Sequence, residues 1–136
     1  MNAIVRDCMN HQLVYMREGG RADLALKSIL DFGITTVAVL DEDHRPVGTV
    51  SIRELADPKH CRDWVTTPAA TISIDAPLAT AAQTLAEKDL HQIVVVNTDG
   101  RAAGMLSALD VVRGLLGIPA RHPKAIDSFD RPAASR

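Results

Sequence analysis

Two short stretches carry the residues best suited to chemistry. In "GMLSALDVVRG", Gly104 to Gly114, Ser107 stands three residues ahead of Asp110, where a helix is predicted to begin. In "GTVSIRELAD", Gly48 to Asp57, Ser51 stands three residues ahead of Glu54, with Arg53 between them. A helix N-terminus presents unpaired N–H groups at the positive end of its dipole, which suits a phosphate. A carboxylate in the first turn can accept both hydroxyls of a ribose as charge-assisted hydrogen bonds. The same Ser-x-x-acid spacing is also a capping box, in which serine and acid satisfy the first turn's amides between themselves. Spacing alone leaves both roles open, and "SIRE" fits the box literally. Arg53 reads either as a phosphate contact or as a solvated helix residue.

Other chemical groupings are weaker. Cys8-x-x-His11 and His60-Cys61 match no usual zinc finger or ribbon spacing, and read as two reduced thiols and two surface histidines, with no metal. The acidic run Asp41, Glu42, Asp43 reads as a solvated hairpin turn. No Ser-His-Asp or Cys-His set, Walker loop or HExxH is identifiable, so no enzyme is expected. The net charge of -2 over 136 residues argues against nucleic acid, which calls for a basic excess or stripe. No apolar run approaches the roughly 18 residues of a membrane span, and "MNAIVRDCMNHQ" has no signal-peptide core, so a cytoplasmic location is expected.

The two stretches belong to a repeat at a constant shift of 56 residues. Arg6-Asp7 falls on Arg62-Asp63, Val39 on Val95, Asp43 on Asp99, and Arg45, Gly48 and Ser51 on Arg101, Gly104 and Ser107. Ala22, Ala25, Leu26, Ile29 and Leu30 form one helical stripe, which Leu78, Ala81, Ala82, Leu85 and Ala86 repeat position for position. "GITTVAVL" and "DLHQIVVV" follow as buried strands, then polar turns at "DEDHR" and "NTDGR", a return strand, and a second helix. Each repeat thus reads strand–helix–strand–strand–helix, opening near Leu13–Met16 or Thr71–Ile74. Asp75 and Pro77 suit the start of the second repeat's helix. The last helix should stop at Gly117, with Pro119 beyond. The division predicted is residues 1–58, residues 59–117 and a flexible tail over 118–136.

Two such units, each ending in Gly-x-x-Ser-x-x-acid, with an "RDCM" opening, resemble a pair of CBS domains, the cystathionine-β-synthase repeat. The resemblance implies an α/β (α+β) fold: two tandem β-α-β-β-α repeats about a pseudo-twofold axis, with two clefts between them. It also implies further association through helices into a homodimer. In the family's adenosine binders, one repeat supplies the adenine wall and the other the ribose and phosphate contacts. Carried over by motif, one cleft would use Val14, Ile34 and Thr35 as wall, Asp110 for the ribose and Ser107 for the phosphate. The other would use Ala70, Leu90 and His91, with Ser51, Arg53 and Glu54 opposite. The implied function is a regulatory module with no required cofactor, taking AMP, ADP, ATP or S-adenosylmethionine and signalling to an enzyme or transporter. Few cations beside Asp110 favour AMP or an adenosyl compound over ATP. A ligand-free interaction and dimerisation module is the alternative. The chain departs from the family pattern at Ala38 and Val94, where a proline is common, and at Asp89, where the first repeat keeps Gly33.

Overall fold

The computed structural model describes residues 3–52 and 65–120. These residues form two compact units, one holding residues 14–52 and 65–69, the other residues 3–13 and 70–120.

In the first unit, β1 (Tyr15–Arg17) lies parallel to β2 (Thr36–Leu40), joined to it by a crossover helix, and β2 turns back into antiparallel β3 (Pro46–Ser51). The sheet order is β1-β2-β3. The second unit repeats it with β4 (Thr71–Ser73), β5 (Gln92–Val96) and β6 (Ala102–Ser107), in the order β4-β5-β6. Register is conserved at the 56-residue shift. Thr36 pairs with Ser51 as Gln92 pairs with Ser107, and Val39 with Gly48 as Val95 with Gly104. Even the irregularity recurs, between Val39 and Leu40 and between Val95 and Val96. The acidic run at Asp41 is a turn: its Oδ1 accepts from the amides of Asp43 at 2.9 Å and Arg45 at 3.0 Å. Mixed parallel and antiparallel pairing with helices gives the expected α+β class.

The helices are α1 (Val5–Cys8), α2 (Ala22–Phe32), α3 (Leu78–Lys88) and α4 (Ala108–Leu115). The predicted stripes are broader than the sheets can cover. Ala25 and Ile29 of α2 are buried, but Leu26 and Leu30 on the same stripe are exposed. On α3, Leu78, Ala81 and Leu85 are buried and Ala86 is exposed. Both helices end in a left-handed residue, Gly33 at φ 64° and Asp89 at φ 56°. The next amide in each case bonds back, Ile34 to Ile29 at 3.1 Å and Leu90 to Leu85 at 2.9 Å. The last helix ends at Leu115, and Gly117 takes the left-handed conformation (φ 74°) just beyond.

The helix α1 was not expected, because four residues carry no period. It brings the N-terminal segment onto the second repeat's elements. Val5 and Met9 are fully buried in the core with Leu78, Ile93 and Val111. The amides of Val5 and Arg6 donate to the carbonyls of Ala76 and Ile74. Asn10 then forms an antiparallel bridge to Met105 of β6, with bonds of 2.8 and 3.0 Å. The equivalent residue 56 positions on, Thr66, bridges Thr49 of β3, with bonds of 2.8 and 3.0 Å. Each repeat therefore lends its opening segment to the other's sheet, so the compact units do not coincide with the sequence repeats.

Candidate functional site

The two strand-crossings explain the glycine of each Gly-x-x-Ser motif. A Cβ on Gly104 would lie 2.2 Å from the carbonyl oxygen of Asn10 and 2.5 Å from Met9 Cε. On Gly48 it would lie 2.7 Å from the carbonyl oxygen of Thr66 and 2.7 Å from Val65 Cγ1. A side chain there would push off the segment that pairs with the strand. The glycines hold the crossing closed, and the strand then delivers Ser51 or Ser107 at the sheet end.

In the second unit that sheet end gathers several predicted residues. Ala70 precedes β4, Leu90 and His91 precede β5, and Ser107 ends β6 and caps α4. Parallel β4 and β5 start at the end where antiparallel β6 finishes. The Ala70 carbonyl accepts from Val94 at 3.2 Å, and the His91 carbonyl accepts from the first amide of α4, Ala108, at 2.8 Å. Ala70 and Leu90 are half-buried and His91 is exposed.

The first unit builds the same end from Val14, Ile34, Thr35 and Ser51. The Val14 carbonyl accepts from Ala38 at 3.4 Å, and that of Thr35 from Ile52 at 3.0 Å. Val14 is buried, Ile34 and Ser51 are half-buried and Thr35 is exposed. Arg53 and Glu54 lie outside the described residues, as do His60 and Cys61. Among the described residues no cluster of three or more His, Cys, Asp or Glu is placed to hold a metal. At Ala38 and Val94, where the family often has proline, the amides are put to use as donors to the two wall carbonyls.

Ser107 and Asp110 form a closed capping box. Ser107 Oγ accepts from the Asp110 amide at 3.0 Å, and Asp110 Oδ2 accepts from the Ser107 amide at 2.9 Å. Asp110 is a buried ionisable residue, 5% exposed. Arg113, one turn on, brings its Nη1 to 4.0 Å from Asp110 Oδ1. Cap and ligand contact are compatible at the level of atoms. The box uses Oδ2 and one lone pair of Ser107 Oγ, while the serine's hydroxyl proton can still turn toward an anion. Of the first-turn amides, that of Ala108 donates to the His91 carbonyl and that of Asp110 to Ser107 Oγ.

Sequence reasoning missed Cys8 as a neighbour of this site. Cys8 is buried between α1 and α4: a Cβ on Gly114 would lie 2.6 Å from its Sγ. Its pKa is raised above the usual 9.0, first by burial and then by the charges of Asp7 and Asp110. The "RDCM" opening and the repeat of Arg6-Asp7 as Arg62-Asp63 were the signals that this segment had a fixed place.

The CBS domain profile matches residues 5–58 and 61–117. The chain belongs to the CBS domain family. Solved structures agree. The chain is 25% identical to CBSX2 in complex with AMP, covering 84% of this chain and 96% of that one, with a TM-score of 0.75. CBSX2 from Arabidopsis thaliana in another structure is 24% identical, over 86% and 96% of the two chains, with a TM-score of 0.76. The CBS domain pair of protein MJ0100, in complex with 5'-methylthioadenosine and S-adenosyl-L-methionine, matches at a TM-score of 0.78. It is 18% identical and covers 86% of this chain and 98% of that one, a likeness of fold. Among curated proteins, a homoserine O-acetyltransferase of Methanohalobium evestigatum is 25% identical over 114 residues, 80% of this chain. The chain spans about a quarter (23%) of that relative's length. Among the described residues no helix is long and apolar enough to cross a membrane.

Proposed function

We propose that this CBS pair is a regulatory module that binds an adenosyl ligand, AMP or S-adenosylmethionine, and reports it to a partner enzyme or transporter. The observation that carries the reading is the sheet end of the second unit, where Ala70, Leu90 and His91 gather with a serine-capped helix start whose acid, Asp110, is buried; the first unit repeats the strand ends as far as Ser51. The walls are Val14, Ile34 and Thr35 in one unit and Ala70, Leu90 and His91 in the other. Asp110 is read as the ribose acceptor and Ser107 as the phosphate contact. Ser51, Arg53 and Glu54 are the counterpart in the first repeat. The AMP complex of CBSX2 and the adenosyl complex of the MJ0100 pair support the ligand class. The role is regulatory rather than catalytic, needs no cofactor, and is exercised as a homodimer in the cytoplasm, where the buried thiol of Cys8 stays reduced.

Thermal unfolding against AMP, ADP, ATP, S-adenosylmethionine and NADH tests the reading. A ligand at about 100 times its Kd adds roughly 2.7 kcal/mol. At this size the Tm rises by roughly 5–12 °C. A rise with one adenosyl compound, absent in Asp110→Ala, supports it; a flat response to all five overturns it. The closed Ser107–Asp110 box favours one second reading, a ligand-free interaction module, which a flat response would leave standing.

A further inference from the structure

The N-terminal segment, residues 3–13, is packed within the second unit. The Val5 and Arg6 amides donate to Ala76 and Ile74 at 2.9 and 3.0 Å, and the Leu78 amide donates to Ala3 at 3.0 Å. Asn10 and Met105 exchange two more bonds along β6, the last strand in the order β4-β5-β6. Arg6 also pairs with Asp75, but both side chains are half exposed and the pair adds little. Only the four residues of α1 are helical, too few to hold a shape without the surface beneath them. Attachment therefore comes chiefly from burying Val5, Cys8 and Met9.

The docked arrangement carries a penalty at its far end. Gln12 Oε1 is buried and has no hydrogen-bond partner among the described residues. An unpaired buried acceptor opposes the arrangement that buries it, and release into water satisfies it. The same segment backs the two residues assigned to ligand. Val5 and Met9 share one core with Leu106, next to Ser107, and with Val111, next to Asp110. Cys8 packs against α4 at Gly114. Burial, then the charges of Asp7 and Asp110, raise the Cys8 pKa, so the site's acid is felt at the segment itself. When the segment leaves, the inner sides of β6 and α4 lose their cover and the Ser107–Asp110 box loses its backing.

We propose that residues 3–13 form a strap with two states, docked and released, and that ligand at the second unit's sheet end holds it docked. The proposal rests on the reading of Ser107 and Asp110 above and names the part of the molecule that responds to occupancy. Without ligand the strap opens more often than the unit unfolds, because release leaves β4, β5, β6 and α3 packed on one another. A ligand that binds only the docked state lowers the released population by a factor of 1 + [L]/Kd, about a hundredfold at about 100 times Kd.

Native-state hydrogen exchange of the full chain, read at single amides by NMR, tests it with AMP and with S-adenosylmethionine. Calorimetry first establishes which of the two binds, and its Kd. Without ligand, the amides of Val5, Arg6 and Asn10 are expected to exchange at least tenfold faster than the slowest amides of the central strand β5. At about 100 times Kd, the same three amides are expected to slow at least tenfold. Strap amides less than tenfold faster than those of β5 overturn the independent release. Strap amides that are faster, yet slow by less than tenfold with ligand, overturn the coupling while binding itself stands. If neither compound binds, the reading of the site fails and the proposal fails with it.

Discussion

Replacing Gly104 by alanine puts one methyl group where β6 meets the N-terminal segment. The new carbon would lie 2.2 Å from the Asn10 carbonyl oxygen, which Met105 holds with a 3.0 Å hydrogen bond. Backbone on both sides of the contact leaves no flexible side-chain tip to swing away, so Asn10 must withdraw by about 1 Å to reach ordinary contact distance. Both bonds of the Asn10–Met105 bridge stretch or break, at about 1 kcal/mol each. Displacing the packed Met9 adds roughly 1–3 kcal/mol of overpacking. The lower entropy of an unfolded chain with alanine for glycine returns about 0.4–1 kcal/mol. The net loss is roughly 2–4 kcal/mol, a fall in Tm of about 8–16 °C at this size. Urea unfolding gives the free energy, and hydrogen exchange at the Asn10 and Met105 amides locates it. Gly33→Ala is the comparison: its Cβ meets nothing within 4 Å, so only the φ of 64° opposes it, at about 1 kcal/mol. If Gly104→Ala costs no more than Gly33→Ala and leaves both amides protected, the crossing does not explain the motif glycine.

Other substitutions probe the same account. Asp89→Gly relieves a left-handed aspartate and a negative charge at the C-terminus of α3, and should stabilise by about 0.5–1 kcal/mol in urea unfolding. Ser107→Ala opens the capping box and should cost about 1 kcal/mol, with the first turn of α4 losing amide protection. The folded pKa of Cys8 lies above its unfolded value, so its contribution to stability is intact below about pH 9 and fades as pH rises through the folded value. Unfolding free energies measured from pH 8 upward should fall less steeply in Cys8→Ala, and thiolate absorbance should show the Cys8 titration moved down in Asp110→Asn.

The fold was legible because its signals are local and doubled. Two apolar runs, two polar turns and two helical stripes at one spacing define strands, hairpins and crossover helices, and the register repeats at that same 56-residue shift. What the sequence hid depends on long-range choices. A stripe containing Leu26 and Leu30 does not say how much of itself the sheet will cover. Four residues of α1 carry no period, and nothing in Asn10 or Thr66 declares which of two similar strands each will bridge. The motif glycines were visible as a pattern, but their cause lies in a segment about 94 residues away for Gly104 (position 104 less position 10). For Ser107 and Asp110 the sequence offered cap or ligand contact. The structure shows the cap, with Asp110 nearly buried and the serine's hydroxyl proton still able to turn outward.

Isothermal titration of AMP and of S-adenosylmethionine into the wild type and Asp110→Ala, both verified as folded at the working temperature, tests the central claim most directly. The account predicts saturable binding of at least one of the two by the wild type, weakened at least tenfold in the variant. Neither compound binding the folded wild type, or equal affinity in Asp110→Ala, would contradict it.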